Sequence, residues 1–247
     1  MNITNKTILI TGGGSGIGFE IARLLSQKGN KVIITGRSEA RLQKAVSLLS
    51  NVDYVVCDIN SEKDINSLVN KITQEFGSLD ILINNAGQAS VYKLDVEVNA
   101  YNKAADEIQT NYLSVIRLTE KLLPLLSNQK EGAIVNVTSI VAFVPGINLP
   151  TYAASKAALH SYTQALRYTL AKTTNIKVFE LMPPLVNTEF SVEIGGANGI
   201  PPALVAEGLI EGLKNDDYEL HIGGTADLYK LFLSSPQEAL NALNQDR

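Results

Sequence analysis

At 247 residues, 45% of them hydrophobic and 19% charged, the chain has enough apolar material for a large core. The formal charge is -4, acids and bases are interspersed, and there is no lysine or arginine block, which argues against nucleic acid or an anionic membrane as main partner. Cys57 is the only cysteine, so an internal disulfide is excluded and a reducing compartment fits best. The first apolar run is too short for a signal-peptide core, and none reaches the ~18–20 residues that span a bilayer. The expectation is a cytoplasmic protein.

In chain order, Thr7–Thr11 reads as a first strand, apolar enough to be covered on both faces. Four glycines and a serine follow. A helix then carries the stripe Ile17, Ile21, Leu24 and Leu25 and stops at Gly29. Lys31–Thr35 and Val52–Cys57 are the second and third strands, and Cys57 reads as a small core residue. Ser61 is the expected N-cap of a helix whose stripe, Ile65, Leu68, Val69, Ile72 and Phe76, ends at Gly77. A fourth strand is expected over Leu79–Ile83, a long helix over Ala100–Leu126 and a fifth strand over Ala133–Thr138. A second long helix, Thr151–Lys172, leads to strands at Ile176–Leu181 and, more weakly, Tyr218–Ile222. No linker or repeat interrupts this alternation. It predicts right-handed crossovers and an α/β fold, a Rossmann-type doubly wound parallel sheet of about seven strands forming one domain over 1–247. In such a sheet ligands bind beyond the carboxyl ends of the strands.

Those ends carry the chemistry. The first runs into Thr11-Gly-Gly-Gly-Ser-Gly-Ile-Gly18. Glycines there let the backbone approach a pyrophosphate, and the helix N-terminus supplies unpaired N–H groups. The fourth strand ends in Asn84-Asn-Ala-Gly87 and the fifth in Thr138-Ser139; Tyr152-Ala-Ala-Ser-Lys156 follows at the start of a helix. Tyr152 and Lys156, four apart, project from one helix face. A nearby ammonium favours phenolate, so Lys156 is expected to lower the tyrosine pKa from about 10 and fit it for acid/base work. Ser139 can hydrogen-bond the same substrate oxygen as charge develops.

With TGGGSGIG, NNAG, the strand-end serine and YAASK in this order, the sequence resembles the short-chain dehydrogenase/reductase family over about Thr7–Thr188. Pro183-Pro-Leu-Val with Thr35-Gly-Arg-Ser-Glu-Ala-Arg-Leu42 looks like its DltE-like bacterial subgroup. The resemblance implies an enzyme interconverting carbonyl and alcohol with a nicotinamide cofactor, held by a half at about 1–138, with catalysis in a half at about 139–247. It implies catalytic roles for Asn111, Ser139, Tyr152 and Lys156, with Asn111 supporting a water relay and Lys156 also holding the nicotinamide ribose. The cofactor is expected against Gly12, Gly14, Ser15, Gly16, Ile17 and Gly18, then Asp58 and Ile59 at the adenine. Asn84, Ala86 and Gly87 would line the ribose side, and Pro183, Val186 and Thr188 the nicotinamide. Pro184 stands where the family commonly has glycine, which leaves the local loop path open.

At the end of the second strand the position where an acidic residue would select NAD is Gly36, and Arg37 follows. A guanidinium suits a 2′-phosphate, so NADP(H) is expected over NAD(H). Substrate is expected to enter over 140–150, the loop near 88–98 and 189–200; the first is mainly apolar and Lys93 is the one cation in these loops, which points to a neutral, fairly apolar carbonyl or secondary alcohol. Gly195, Gly196 and Gly199 suggest a flexible lid. His160 and His221 read as structural, and neither has metal-ligand spacing. By resemblance the helices holding Asn111 and Tyr152 pair two subunits into a homodimer, or a homotetramer through the last strand. Two rival readings remain: an epimerase that retains its nicotinamide, and a non-enzymatic dinucleotide sensor or scaffold.

Overall fold

The computed structural model describes residues 1–245. Seven parallel strands form one sheet in the order β3-β2-β1-β4-β5-β6-β7: β1 Thr7–Thr11, β2 Lys31–Gly36, β3 Val52–Val56, β4 Ile81–Asn84, β5 Gly132–Val137, β6 Ile176–Met182 and β7 Glu219–His221. The strand order reverses between β1 and β4, which opens a crevice at their carboxyl ends. Expected and observed strands agree to within two residues at their ends, where fraying shifts boundaries. Cys57 falls just beyond β3 but is buried as expected. β3 departs from the expectation of two covered faces, because it is the edge strand and only part of each side chain is shielded.

Helices cover both faces: α1 Gly16–Ser26, α2 Glu39–Val46, α3 Glu62–Lys71, α4 Ala100–Ile108, α5 Ser114–Ser127, α6 Pro150–Thr173 and α7 Pro202–Asn215. Ile8, Ile10, Ile34, Ile83 and Phe179 pack under α1 and α7; Leu9, Ile33, Leu82 and Ile134 pack under α3, α5 and α6. Alternate residues of one strand thus enter opposite cores, which is why these strands are apolar throughout. Past β7 the chain adds two helices that the sequence reading left unassigned, α8 Thr225–Ser234 and α9 Pro236–Asn244.

The expected long helix over Ala100–Leu126 is two α-helices joined by a π-helical turn, Gln109–Leu113. That wider turn holds Asn111, which is fully buried. Such insertions re-aim side chains and often occur at functional positions.

Candidate active site

The crevice is a cavity of about 590 Å³ that runs across the carboxyl ends of β1, β2, β4, β5 and β6. One end is built from backbone. Gly12 and Gly16 sit at φ 65° and 55°, a left-handed region where a side chain is strained. Ser15, the residue before α1, makes no side-chain cap, so the helix's first N–H groups are unpaired on the side chain's account. Gly12, Gly14, Ser15, Gly16 and Ile17 all line the cavity. Gly18 does not. A Cβ there would lie 2.5 Å from the Gly12 carbonyl oxygen, so this glycine lets α1 pack against the turn.

The expected NNAG contacts divide similarly. Asn84 is buried away from the cavity, donating to Asn136 Oδ1 at 2.8 Å and Thr119 Oγ1 at 3.3 Å. Asn85, not Asn84, stands at the cavity: its side chain donates to the carbonyls of Thr11 and Gly12 at 2.9 and 3.1 Å, and it lines the cavity with Ala86 and Gly87. Thr11 Oγ1 accepts the N–H groups of Asn85 and Ala86, both at 3.0 Å. The tips of β1 and β4 are therefore stitched together, which holds the glycine turn in shape.

Arg37, exposed after β2, lines the β2 end of the cavity with Ser38 and Arg41. Sequence reading named only the first of these. Arg41 also reaches across the cleft to Glu189 at 3.2 Å. Asp58 and Ile59 line the same end, and Asp58 Oδ1 accepts from the Asn60 N–H at 2.9 Å.

The other end is made of side chains. Ser139, Tyr152 and Lys156 converge on the cavity wall from β5 and α6. Lys156 Nζ donates to the Val137 carbonyl at 2.8 Å and lies 5.6 Å from the centre of the Tyr152 ring. Asn111 is behind the wall: it exchanges hydrogen bonds with the backbone of Gln88, both at 2.8 Å, and donates to Ser155 Oγ at 2.9 Å. Gly87 leaves the space in front of Asn111, since a Cβ there would stand 3.3 Å from Asn111 Oδ1 and 3.8 Å from Lys156 Nζ. Pro183, Pro184, Val186 and Thr188 close the wall after β6.

The electrostatics correct one expectation. Burial pushes the Tyr152 hydroxyl well above its ordinary range; the neighbouring Ser139 hydroxyl pulls it down less than that, and the Glu107 charge adds to the rise. Lys156 itself is pulled down to about 8 by burial, against the field of Glu180. Desolvation outweighs the pairing that sequence spacing suggests. Two acids missed by sequence reading thus act on this pair. Glu107 is fully buried on α4, accepts the Ser90 N–H with Oε1 at 2.6 Å, and has no partner for Oε2 among the described residues. Glu180 is fully buried on β6. Glu107 carries no local signature, whereas Glu180 carries one, an acid inside a largely apolar strand of a sheet covered on both faces.

The segment after Thr188 also differs from the expected flexible lid. Glu189–Ile194 and Gly196–Asn198 are short 3₁₀ turns. A Cβ on Gly196 would meet the Ser191 carbonyl oxygen at 2.8 Å, and one on Gly199 the Leu185 carbonyl oxygen at 2.7 Å. These glycines permit close packing. Among the described residues no cluster of His, Cys, Asp or Glu could hold a metal ion, and no helix is long and apolar enough to cross a membrane.

A glycine turn at a helix N-terminus, facing a Ser/Tyr/Lys group across one crevice, defines an oxidoreductase of the short-chain dehydrogenase type. A profile of the family described as short chain dehydrogenase matches residues 6–198, and the chain belongs to that family. It is 41% identical over 188 residues to an uncharacterized oxidoreductase, DltE, of Bacillus subtilis (strain 168), covering 76% of this chain and 74% of that protein. The fold matches a short-chain dehydrogenase/reductase from Burkholderia phymatum in complex with NAD, with TM-score 0.87, 20% identity and coverage of 99% and 97% of the two chains. A short-chain dehydrogenase from Burkholderia cenocepacia in complex with NADP matches with TM-score 0.84 and 25% identity over 98% of each chain.

Proposed function

We propose that the protein is an NADP(H)-dependent oxidoreductase acting on a neutral, fairly apolar carbonyl or the corresponding secondary alcohol. The observation that carries this reading is the convergence of Ser139, Tyr152 and Lys156 at one end of a cavity whose other end is the uncapped start of α1. The residues present fit a dinucleotide. Unpaired helix N–H groups and the left-handed glycines suit a pyrophosphate, and two guanidiniums beside the end of β2 suit a 2′-phosphate. Relatives of this fold bind either cofactor, so the preference rests on Arg37, Arg41 and the lack of an acid at Gly36.

Bound nicotinamide supplies or accepts the hydride. Tyr152, kept protonated by its buried setting, donates its proton to the carbonyl oxygen in reduction and takes it back in oxidation. The Ser139 hydroxyl hydrogen-bonds the same oxygen, and the Lys156 ammonium holds the ribose while favouring the phenolate that proton transfer leaves. Asn111 fixes Gln88 and Ser155 around the pair. Ile140, Val141, Leu149, Phe190 and Ile194 make the substrate wall apolar, and Lys93 does not line the cavity. The same reading takes the outer faces of α4–α5 and α6, where Tyr112 and Tyr162 meet edge to face, as a homodimer contact.

Titration with NADPH and then NADH, followed by nicotinamide fluorescence, tests the cofactor assignment. Arg37→Asp should weaken NADPH by about 10-fold or more, on the scale of a lost charge-assisted hydrogen bond, and leave NADH within about 3-fold. Equal losses for both would remove the assignment.

A further inference from the structure

Behind the reacting wall lies a charged pair that the proposed chemistry does not use. Glu180, in the middle of β6, is fully buried, and both its oxygens lie 2.9 Å from His160 Nδ1. Oε1 also accepts the Thr138 hydroxyl at 2.6 Å. A carboxylate removed from water is costly unless charge and hydrogen bonds compensate it, and here they do. The position matters. Lys156 grips the Val137 carbonyl, Glu180 grips the Thr138 side chain, and Ser139 is next in the chain. The end of β5 that presents Ser139 is therefore held at two successive residues, by the lysine at Val137 and by the glutamate at Thr138.

We propose that Glu180 and His160 are positioning residues for Ser139 and Lys156, with the buried carboxylate fixing the end of β5 that leads to Ser139 and carries the lysine's acceptor, its charge favouring the lysine cation, and the largely buried imidazole setting how strongly it does so. This rests on the acid/base reading of Tyr152 and Lys156 given above. Glu180 favours the Lys156 cation, which burial opposes. His160 in turn binds its proton more tightly than a free imidazole because of Glu180. With the imidazolium present, the carboxylate's field at Lys156 is partly cancelled. As pH rises and the imidazole turns neutral, the field is released and Lys156 keeps its proton to higher pH. His160 is the group through which solvent pH reaches the buried acid, since its side chain is 20% exposed and that of Glu180 is not exposed at all. The other groups around the pair are Lys156 and Arg167 from α6, and Glu219 and His221 from β7; Arg167 is itself bonded to Glu219 at 2.8 Å. The rings of Phe143 and Tyr229 cover the imidazoles, Phe143 edge-on to His160 and Tyr229 stacked on His221.

The test uses Glu180→Gln, which removes the charge and keeps an acceptor for Thr138. In the reducing direction the alkaline limb of kcat/KM belongs to Lys156, whose proton leaves before that of Tyr152. The variant should move that limb down by half a pH unit or more. The chain has two histidines, so imidazole NMR of the protein without cofactor resolves them, and the His160 titration should fall toward 6.5. His160→Gln, which keeps Glu180, should leave the alkaline limb where it is or raise it. A downward shift as large as that of Glu180→Gln would mean that only packing was disturbed and would overturn the inference. So would a limb unmoved in Glu180→Gln while the His160 titration falls. Should Glu180→Gln fail to fold, the His160→Gln profile decides alone: a limb that falls overturns the inference, and one that holds or rises bears it out. If the wild-type protein shows no turnover sensitive to Tyr152→Phe, the underlying reading fails, and the NMR titration still reports whether Glu180 and His160 are coupled.

Discussion

The two ends of the crevice are built on different principles. The β1–β2 end is made by backbone: positive-φ glycines, the start of α1, and Asn85 stitching β1 to β4. The β5–β6 end is made by side chains drawn from α4, the π-helical turn, α6 and β6, several of them charged and fully buried. A backbone site fails through sterics and loses shape, so binding and stability fall together. A side-chain site fails through chemistry, so rate is lost while the shape stays. The comparison is sharpest where a substitution should separate these two consequences.

Tyr152→Phe should have the largest effect. It removes one hydroxyl and leaves the ring packed among Val141, Leu149 and Ala153. On the proposed reading Tyr152 is the general acid, whose loss costs about 10²–10⁴-fold in rate, so turnover of a carbonyl substrate should fall by that range. Affinity for NADPH should stay within about 3-fold, and the melting temperature should hold. If cofactor affinity fell in step with rate, the reacting end would be a structural site like its opposite.

Gly18→Ala should do the reverse. The added Cβ would meet the Gly12 carbonyl oxygen and Asn85 Nδ2, both at 2.5 Å, and neither can move without breaking the stitch between β1 and β4. Overpacking of this kind costs about 1–3 kcal/mol. Stability in urea and dinucleotide affinity should drop together, the latter by about 10-fold. A protein that lost stability but bound cofactor normally would show that the turn tolerates displacement of α1.

The same contrast explains what could be read from the sequence. Backbone sites leave a mark in residue spacing, because only glycine allows the required φ or close approach; TGGGSGIG and NNAG were legible for that reason. Tyr152 and Lys156 were legible because one helical turn separates them. Their protonation was not, since desolvation comes from the whole fold and here outweighs the pairing. Glu107 and Arg41 went unread because each sits on an ordinary amphipathic helix and acquires meaning only from what packs against it; Glu180, an acid inside a largely apolar strand, was a signal that the reading passed over. Glycines at 196 and 199 were read as looseness because a tightly packed glycine and a mobile one look alike in sequence.

The smallest effect expected lies at the α9 contact, where the chain reaches back to the segment between Val141 and Leu149. Asn244 Oδ1 accepts the Ile147 N–H at 2.8 Å, and its Nδ2 donates to the Pro145 carbonyl at 3.0 Å. Leu243 beside it packs on the cluster that includes Val141, Leu149 and Tyr152. These bonds are at the surface, so each contributes about 0.5–1.5 kcal/mol at most and water can replace it. Asn244→Ala should therefore leave Tyr152 and its chemistry intact but loosen the segment that carries Val141 and Leu149. The expected outcome is a KM for an apolar carbonyl raised about 2–5-fold, with kcat and NADPH affinity unchanged. The contact joins α9, beyond the span matched by the family profile, to residues 145 and 147 within it. A fall in kcat with KM constant would place α9 in the support of the acid/base group, and the side-chain end of the crevice would then extend to the last helix.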